Sequence, residues 1–237
     1  MWAVDLRSNN ISFMTTIFPM NERFLIDFFD SLSRQTYDKF DVVVVNDGYD
    51  NFNDIKEKYQ KLSIVELPYS KTVAKNREHG INYCIDNNYD VLVFGDSDDY
   101  FSDNRIEKSI ELLSNCDIVV NDLTLFNKAG IVQHKYISNR IDNNSIIDFN
   151  FIKDKNIFGM SNTAINLNIL DKVAFDKSQV AVDWFLFKNL LKLNNKAIFT
   201  NEIISYYRQY PGNTIGLRAT DEKYPLWWEN QANSFLY

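Results

Sequence analysis

The sequence predicts an α/β fold built on a mostly parallel sheet flanked by helices. Three observations carry that expectation. Apolar runs alternate with helical patterns through the first third of the chain, one run is four consecutive valines, and another leads straight into a cluster of carboxylates. Strand, helix, strand, helix in succession is the pattern of a parallel sheet with right-handed crossovers.

Taken in order, Ile11 to Thr16 reads as the first strand. Glu22 to Arg34 follows as an amphipathic helix, because Phe24, Leu25, Phe28, Phe29 and Leu32 recur at helical spacing. Val42 to Val45 is short and apolar on both sides, as suits a strand covered on both faces. A helix over Phe52 to Tyr59, a strand at Ile64 to Glu66, a long helix from Thr72 to Asp86 and a strand at Val91 to Phe94 complete the regular half. Ser102 or Asp103 is placed to cap a helix running to Leu113, and Ile118 to Val120 supplies one more strand.

From Asn121 the rhythm changes. Strand-like pieces at Thr124 to Phe126 and Ile131 to Tyr136 alternate with Asn- and Asp-rich loops. A helix over Val182 to Leu193 and strands at Ala197 to Phe199 and Ile203 to Tyr207 follow. No internal repeat or low-complexity tract interrupts the chain, so 237 residues fit a single domain, 1–237, with a regular half over about 1–122 and a less regular half over about 123–237.

Composition narrows the function. The apolar share of 45% allows a sizeable core, and the net charge of −7 argues against broad attraction to nucleic-acid phosphates, so no nucleic-acid partner is expected. Cys84 and Cys116 lack metal-ligand spacing and read as core thiols. No run of 18 apolar residues occurs, and residues 1–10 carry neither a basic nor an apolar leader, so the expectation is a soluble, cytoplasmic chain, at most peripheral to the inner face of a membrane.

Gly95-Asp96-Ser97-Asp98-Asp99 directly follows Val91-Leu92-Val93-Phe94, which sets three carboxylates at the carboxyl end of a buried strand. Ligands of open α/β sheets bind at that edge. Three acids so close repel one another, and a hard divalent ion such as Mn²⁺ or Mg²⁺, shared with substrate phosphates, relieves the repulsion. The alternative is a solvated acidic turn that caps the next helix. The spacing fits neither an EF-hand nor a P-loop.

Three blocks in order extend this picture. Ser31-Leu32-Ser33-Arg34-Gln35-Thr36-Tyr37 leads to Val42-Val43-Val44-Val45-Asn46-Asp47-Gly48. Lys75-Asn76-Arg77-Glu78-His79-Gly80-Ile81 leads to the acidic cluster. Val182-Asp183-Trp184 precedes Tyr207-Arg208-Gln209-Tyr210-Pro211-Gly212-Asn213-Thr214. Together, from about Ile11 to Gly216, they resemble the family 2 glycosyltransferases, inverting enzymes of GT-A fold with a Rossmann-like nucleotide-binding half and an acceptor half. The chain departs from the family pattern at Asn46, Tyr49 and Tyr210, where Asp, Ser and His are common.

The resemblance implies a role for each position. Asp47 would contact the nucleobase or ribose, although an Asx-turn closing Asn46-Asp47-Gly48 is an equal alternative. Thr16 and Phe18 would wall the same pocket, and Arg77 would bind the diphosphate unless it is a surface ion pair. Asp96 would touch the ribose or the metal, Asp98 would ligate the metal, and Asp99 would support them from behind. Asp183 would be the general base unless it only caps its helix. Arg208 would sit on a flexible loop that closes over the diphosphate, with an ordinary Pro-Gly turn as the alternative. His79 and His134 have no partners at ligand spacing and read as non-catalytic.

The implied activity is metal-assisted transfer of a sugar, most commonly a UDP-linked hexose, to a hydroxyl of a glycan or lipid-linked acceptor. Two other readings stay open: a catalytically silent nucleotide-binding or scaffold domain, and a sugar-phosphate nucleotidyltransferase, which would carry a Gly- and Arg-rich loop where Thr15 to Glu22 stands. The aromatic stretch Tyr224 to Trp228, with Phe235 to Tyr237, has three possible duties: covering the core, a homodimer contact, or contact with a membrane interface.

Overall fold

The computed structural model describes residues 10–153, 156–179 and 181–210. The C-terminal aromatic stretch and Pro211 to Thr214 lie outside the described residues. The regular half runs β1 (Ile11–Ile17), α1 (Glu22–Ser33), β2 (Asp41–Asn46), α2 (Phe52–Lys58), β3 (Ser63–Pro68), α3 (Val73–Asp86) and β4 (Val91–Phe94). Then come β5 (Tyr100–Phe101), α4 (Arg105–Leu113), β6 (Ile118–Asn127), β7 (Gly130–Gln133), β8 (Ile146–Ile147), α5 (Phe149–Ile152), β9 (Thr163–Asn166), α6 (Val182–Lys192) and β10 (Ala197–Arg208).

One sheet contains all ten strands. Its main path is β3-β2-β1-β4-β9-β6-β10-β5, with β7 beside β6 and β8 beside β10. The long ladders β3-β2, β2-β1, β1-β4 and β6-β10 are parallel, while β9 lies antiparallel to both β4 and β6. The expected α/β class with a mostly parallel sheet is therefore observed. The two expected strands at Ala197 and Ile203 prove to be one strand, β10, whose register against β6 shifts between Thr200 and Ile204. The expected strand ending at Tyr136 stops at Gln133.

The valine run explains the middle of the sheet. Val42 to Val45 are fully buried, with Val43 in the core under α3 and α6 and Val42 and Val44 in the core under α1, α2 and α4. Successive strand side chains point to opposite faces, so a strand covered on both sides must be apolar throughout. The crossovers sort accordingly, with α1 and α2 on one face and α3 on the other, and the strand order reverses between the parallel neighbours β1 and β4, from which the sheet extends to β2 and β3 on one side and to β9 and β6 on the other. That crevice is where an open α/β sheet receives a ligand.

Two glycines set the spacing there. A Cβ on Gly80 would lie 2.6 Å from Met14 Sδ and 2.9 Å from Val45 Cγ2, so α3 rests against β1 and β2 as only a glycine permits. A Cβ on Gly95 would enter the rings of Phe13, 2.4 Å away, and Phe101, 2.8 Å away, so the acidic loop turns directly over aromatic core.

The start of α4 differs from expectation. Neither Ser102 nor Asp103 caps it. Asn104 occupies the cap position without a side-chain bond, and Gln35 Oε1, from the end of α1, accepts the Ile106 N–H at 3.0 Å. A free helical donor is thus satisfied by a residue distant in sequence. Of the two cysteines, Cys84 is buried and Cys116 partly so, and burial pushes both thiols up to about 12.

Candidate active site

The carboxyl ends of β1, β2 and β4 meet at one edge, in register Ile17 with Asn46 and Met14 with Phe94. The loop Gly95 to Asp99 leaves β4 there. It is fastened at its middle by Ser97, a buried residue whose hydroxyl donates to the Thr16 carbonyl at 2.7 Å. Thr16 thus holds the loop through its backbone, and its hydroxyl is buried without a hydrogen-bond partner among the described residues. Phe18 is exposed at the rim.

The three carboxylates of the loop are treated differently. Asp99 is fully buried: its Oδ2 accepts from the Ser161 hydroxyl, and its Oδ1 accepts the Arg208 N–H at 2.7 Å. Asp96 is part-exposed and pairs with Arg77 Nη2 at 3.2 Å. Asp98 accepts from the Tyr210 hydroxyl at 2.9 Å. Burial, and then the Asp96 charge, push the Asp98 carboxyl up to about 6. Burial, and then the Asp98 and Asp96 charges, hold Asp99 well above the usual carboxylate range. The cost of crowding that the sequence implies is therefore present in the fold.

Beneath the loop lies a cation. Arg105 is fully buried at the start of α4; its Nη2 donates to the Phe94 carbonyl and its Nη1 to Ser205 Oγ at 3.0 Å. Its guanidinium stacks over Phe101 at 4.2 Å. Burial lowers it to about 9 against the opposing pull of Asp99 and Asp96. A buried arginine of this kind was not singled out from the sequence, where it looks like any residue of an amphipathic helix.

Arg208 departs from expectation. It is the last residue of β10 and does not ride a free loop. Its guanidinium is sandwiched between the rings of Phe24 and Phe126 at 4.3 and 4.5 Å, donates Nε to the Asp98 carbonyl at 2.6 Å and pairs with Asp27 at 2.8 Å. It therefore ties α1 and β10 to the acidic loop.

At the end of β2, Asn46 rather than Asp47 closes the turn: Asn46 Oδ1 accepts the Tyr49 N–H at 2.8 Å. Asp47 is left half-buried, its Oδ2 accepting from Asn76 Nδ2 at 2.7 Å. Asn76 and Arg77 are consecutive on α3 and reach Asp47 and Asp96 respectively. His79 stacks on Tyr69 at 4.2 Å.

Asp183 stands in the first turn of α6 without capping it, since Ala181 holds the cap position. Its Oδ1 accepts the Trp184 N–H at 2.8 Å, while Oδ2 faces Gly159, where an added Cβ would lie 3.9 Å away. Burial raises its pKa, the Arg77 guanidinium and the Trp184 N–H oppose the rise, and Asp96 adds to it. Asp183 thus shares the electrostatic neighbourhood of Arg77 and Asp96. The turn beside it is closed by Asn162, whose Oδ1 accepts the Gly159 N–H at 2.8 Å and whose Nδ2 donates to the Asn121 and Ile157 carbonyls. Ser161, next in line, is the partner of Asp99.

Among the described residues, no group of three or more His, Cys, Asp or Glu side chains is arranged to hold a metal ion by itself. Asp96 and Asp98 offer two hard oxygen donors, the number a Mg²⁺- or Mn²⁺-type site takes when substrate phosphates complete it, so the residues fit such an ion. No helix among the described residues is long and apolar enough to cross a membrane.

S. aureus TarS, solved as residues 1–349 in complex with UDP-GlcNAc, superposes with a TM-score of 0.67 at 20% identity over 86% of this chain and 60% of that one. GalNAc-T7, solved with UDP, GalNAc and Mn²⁺, gives 0.63 at 11% identity over 84% of this chain and 44% of that one. Both likenesses establish the GT-A fold. Among curated proteins, glycosyltransferase GlyA of Streptococcus pneumoniae is 24% identical over 218 residues, 84% of this chain and 31% of GlyA. The uncharacterized glycosyltransferase YwdF of Bacillus subtilis is 26% identical over 100 residues, 41% of this chain and 36% of YwdF. The chain spans about a third of the length of these curated relatives. The sequence profile described as "Glycosyl transferase family 2" matches residues 16–173, two thirds of the chain and the whole of the acidic-loop edge, and the protein belongs to that family.

Proposed function

We propose that this chain transfers a sugar from a nucleoside-diphosphate sugar, with UDP-linked hexose the preferred class, to a hydroxyl of a glycan or lipid-linked acceptor, with inversion at the anomeric carbon. One observation carries the reading. Arg77 pairs with Asp96 at 3.2 Å, and the same guanidinium's charge opposes the rise that burial imposes on the Asp183 carboxyl. A donor diphosphate at Asp96 and Asp98 and an acceptor at Asp183 would then meet across one guanidinium.

In this reading Asp47 receives the base or ribose, with Thr16 and Phe18 walling the same pocket, and Arg77 turns from Asp96 to the diphosphate. Asp96 and Asp98 are the residues that would hold Mn²⁺ or Mg²⁺, which when bound supplies Lewis-acid neutralisation of the departing diphosphate. Asp183 takes the acceptor hydroxyl's proton as that oxygen attacks and the bond to the diphosphate breaks. The raised pKa suits a base, because a more basic carboxylate is a better proton acceptor provided it is still ionised at working pH. Arg208 acts through the loop it holds. A single catalytic domain and a cytoplasmic setting with peripheral membrane contact belong to the same proposal.

A hydrolysis screen over UDP-, GDP- and dTDP-sugars, with Mn²⁺ or Mg²⁺ and then with chelator, tests it. Metal-dependent release of one nucleoside diphosphate is the expected result. Nucleotide binding without turnover of any donor, in the presence of a range of saccharide acceptors, would make the chain a binding domain instead.

A further inference from the structure

We propose that Asn76 is a positioning residue that sets the nucleobase preference of the donor site, by dictating which kind of hydrogen-bonding atom position 47 shows to the base. The inference rests on the nucleotide-sugar reading above.

Asn76 is fully buried in the first half of α3. The backbone N–H of Lys71 donates to its Oδ1 at 3.0 Å. A backbone amide can only donate, so the orientation of the Asn76 side chain is fixed by chemistry, and Nδ2 is the atom that reaches Asp47 Oδ2 at 2.7 Å. The helix cannot slide to change this, because Gly80 leaves no gap against Met14 and Val45. The Asp47 backbone is pinned too, its N–H bonded to the Ile17 carbonyl at 2.8 Å.

Among the described residues Asn76 is the one hydrogen-bond partner of the Asp47 side chain, which leaves Oδ1 available to a ligand as a pure acceptor. The neighbouring Asn46 cannot take over that duty. Its Oδ1 holds the Tyr49 N–H, and its Nδ2 is shared between the Tyr49 carbonyl at 3.1 Å and Glu66 Oε1 at 2.7 Å. Uracil and thymine carry an N–H donor at ring position 3, whereas cytosine carries a bare acceptor nitrogen there. Oδ1 therefore suits uridine or thymidine, and cytidine would bring two acceptors face to face.

The decisive consequence lies in the variant Asp47→Asn. Asn76 Nδ2 still needs an acceptor, so the new amide must turn its oxygen to Asn76 and its NH₂ to the base. The site then favours cytidine. Adding Asn76→Asp reverses the pair again, because a carboxylate at position 76 accepts both the Lys71 N–H and the new amide's NH₂, whose oxygen returns to the base.

The test is calorimetric titration of the full chain and both variants with UDP and CDP in the presence of Mn²⁺. The expected result is preference for UDP of at least about tenfold in the parent, preference for CDP in Asp47→Asn, and preference for UDP again in Asp47→Asn/Asn76→Asp. A simple structural role for Asn76 would weaken both ligands together. Equal losses of UDP and CDP affinity in Asp47→Asn would overturn the proposal and assign Asp47 to a ribose hydroxyl, which donates as well as accepts. A parent that binds neither ligand with Mn²⁺ or Mg²⁺ would instead overturn the nucleotide-sugar reading beneath it. If circular dichroism shows the double variant unfolded, the ratio in Asp47→Asn alone decides.

Discussion

Arg77 Nη2 lies 3.2 Å from Asp96 Oδ1, and this ion pair joins the helix that crosses from β3 to the loop that leaves β4. The pair is part-buried, and its partner Asp96 is also one of the carboxylates that push up Asp98 and Asp99. Arg77 therefore counts as a stand-in counter-ion for an acidic loop whose own charges repel.

From that crowding follows the first prediction. Asp98→Asn removes one of the two carboxylate charges proposed to hold the metal, at a site that folding does not need, so Mn²⁺-dependent UDP binding should be lost while the circular dichroism spectrum and melting temperature are kept. Unchanged Mn²⁺ dependence of UDP binding in the variant would remove Asp98 from the metal site.

The base assignment makes a sharper prediction. Asp183→Asn leaves donor affinity within about twofold and lowers turnover by about 10²–10⁴-fold, the range of positioned proton transfer. The pH dependence has a definite sign. The base must be ionised, and its pKa lies above the ordinary 3.8 of an aspartate through burial. Activity of the parent should fall as pH drops through that raised value, and the residual activity of the variant should lack this acid limb. Equal acid limbs in both proteins would point to another base.

Packing makes the third prediction. Gly80→Ala drives a methyl group to 2.6 Å from Met14 Sδ and 2.9 Å from Val45 Cγ2. In a core covered on both faces this costs about 1–3 kcal/mol, read as a lower midpoint in urea unfolding. A stability equal to the parent's would mean that α3 is free to move away from the sheet.

Two arginines give the fourth prediction. Arg105→Lys cannot reproduce a planar fork that serves both the Phe94 carbonyl and Ser205 from a fully buried position, and should destabilise by about 2 kcal/mol or more. Arg34→Lys, at a pair with Asp103 that is half-exposed on both sides, should change stability by no more than about 0.5 kcal/mol. Similar losses in the two variants would refute the distinction.

The sequence by itself determined the regular half. Val42 to Val45 and Val91 to Phe94 must be buried strands because no surface suits them, and their spacing from amphipathic helices leaves little choice but a parallel sheet. It also placed Asp96, Asp98 and Asp99 at the carboxyl end of a strand, since that follows from chain order alone. Local signals had no such force in the second half. Thr163 to Asn166 is a four-residue strand wedged antiparallel between β4 and β6, and its pairing is fixed by neighbours more than 40 residues away on each side. The roles of the polar residues were decided at the same distance. Gln35 caps a helix it does not belong to, Arg208 is immobilised by Phe24, Phe126 and Asp27, and Asn46 and Asp47 divide their duties according to what Glu66 and Asn76 offer. An apolar run reveals its burial because water rejects it wherever the chain goes, but a polar side chain declares its function only when the fold brings up the partner that completes its hydrogen bonds.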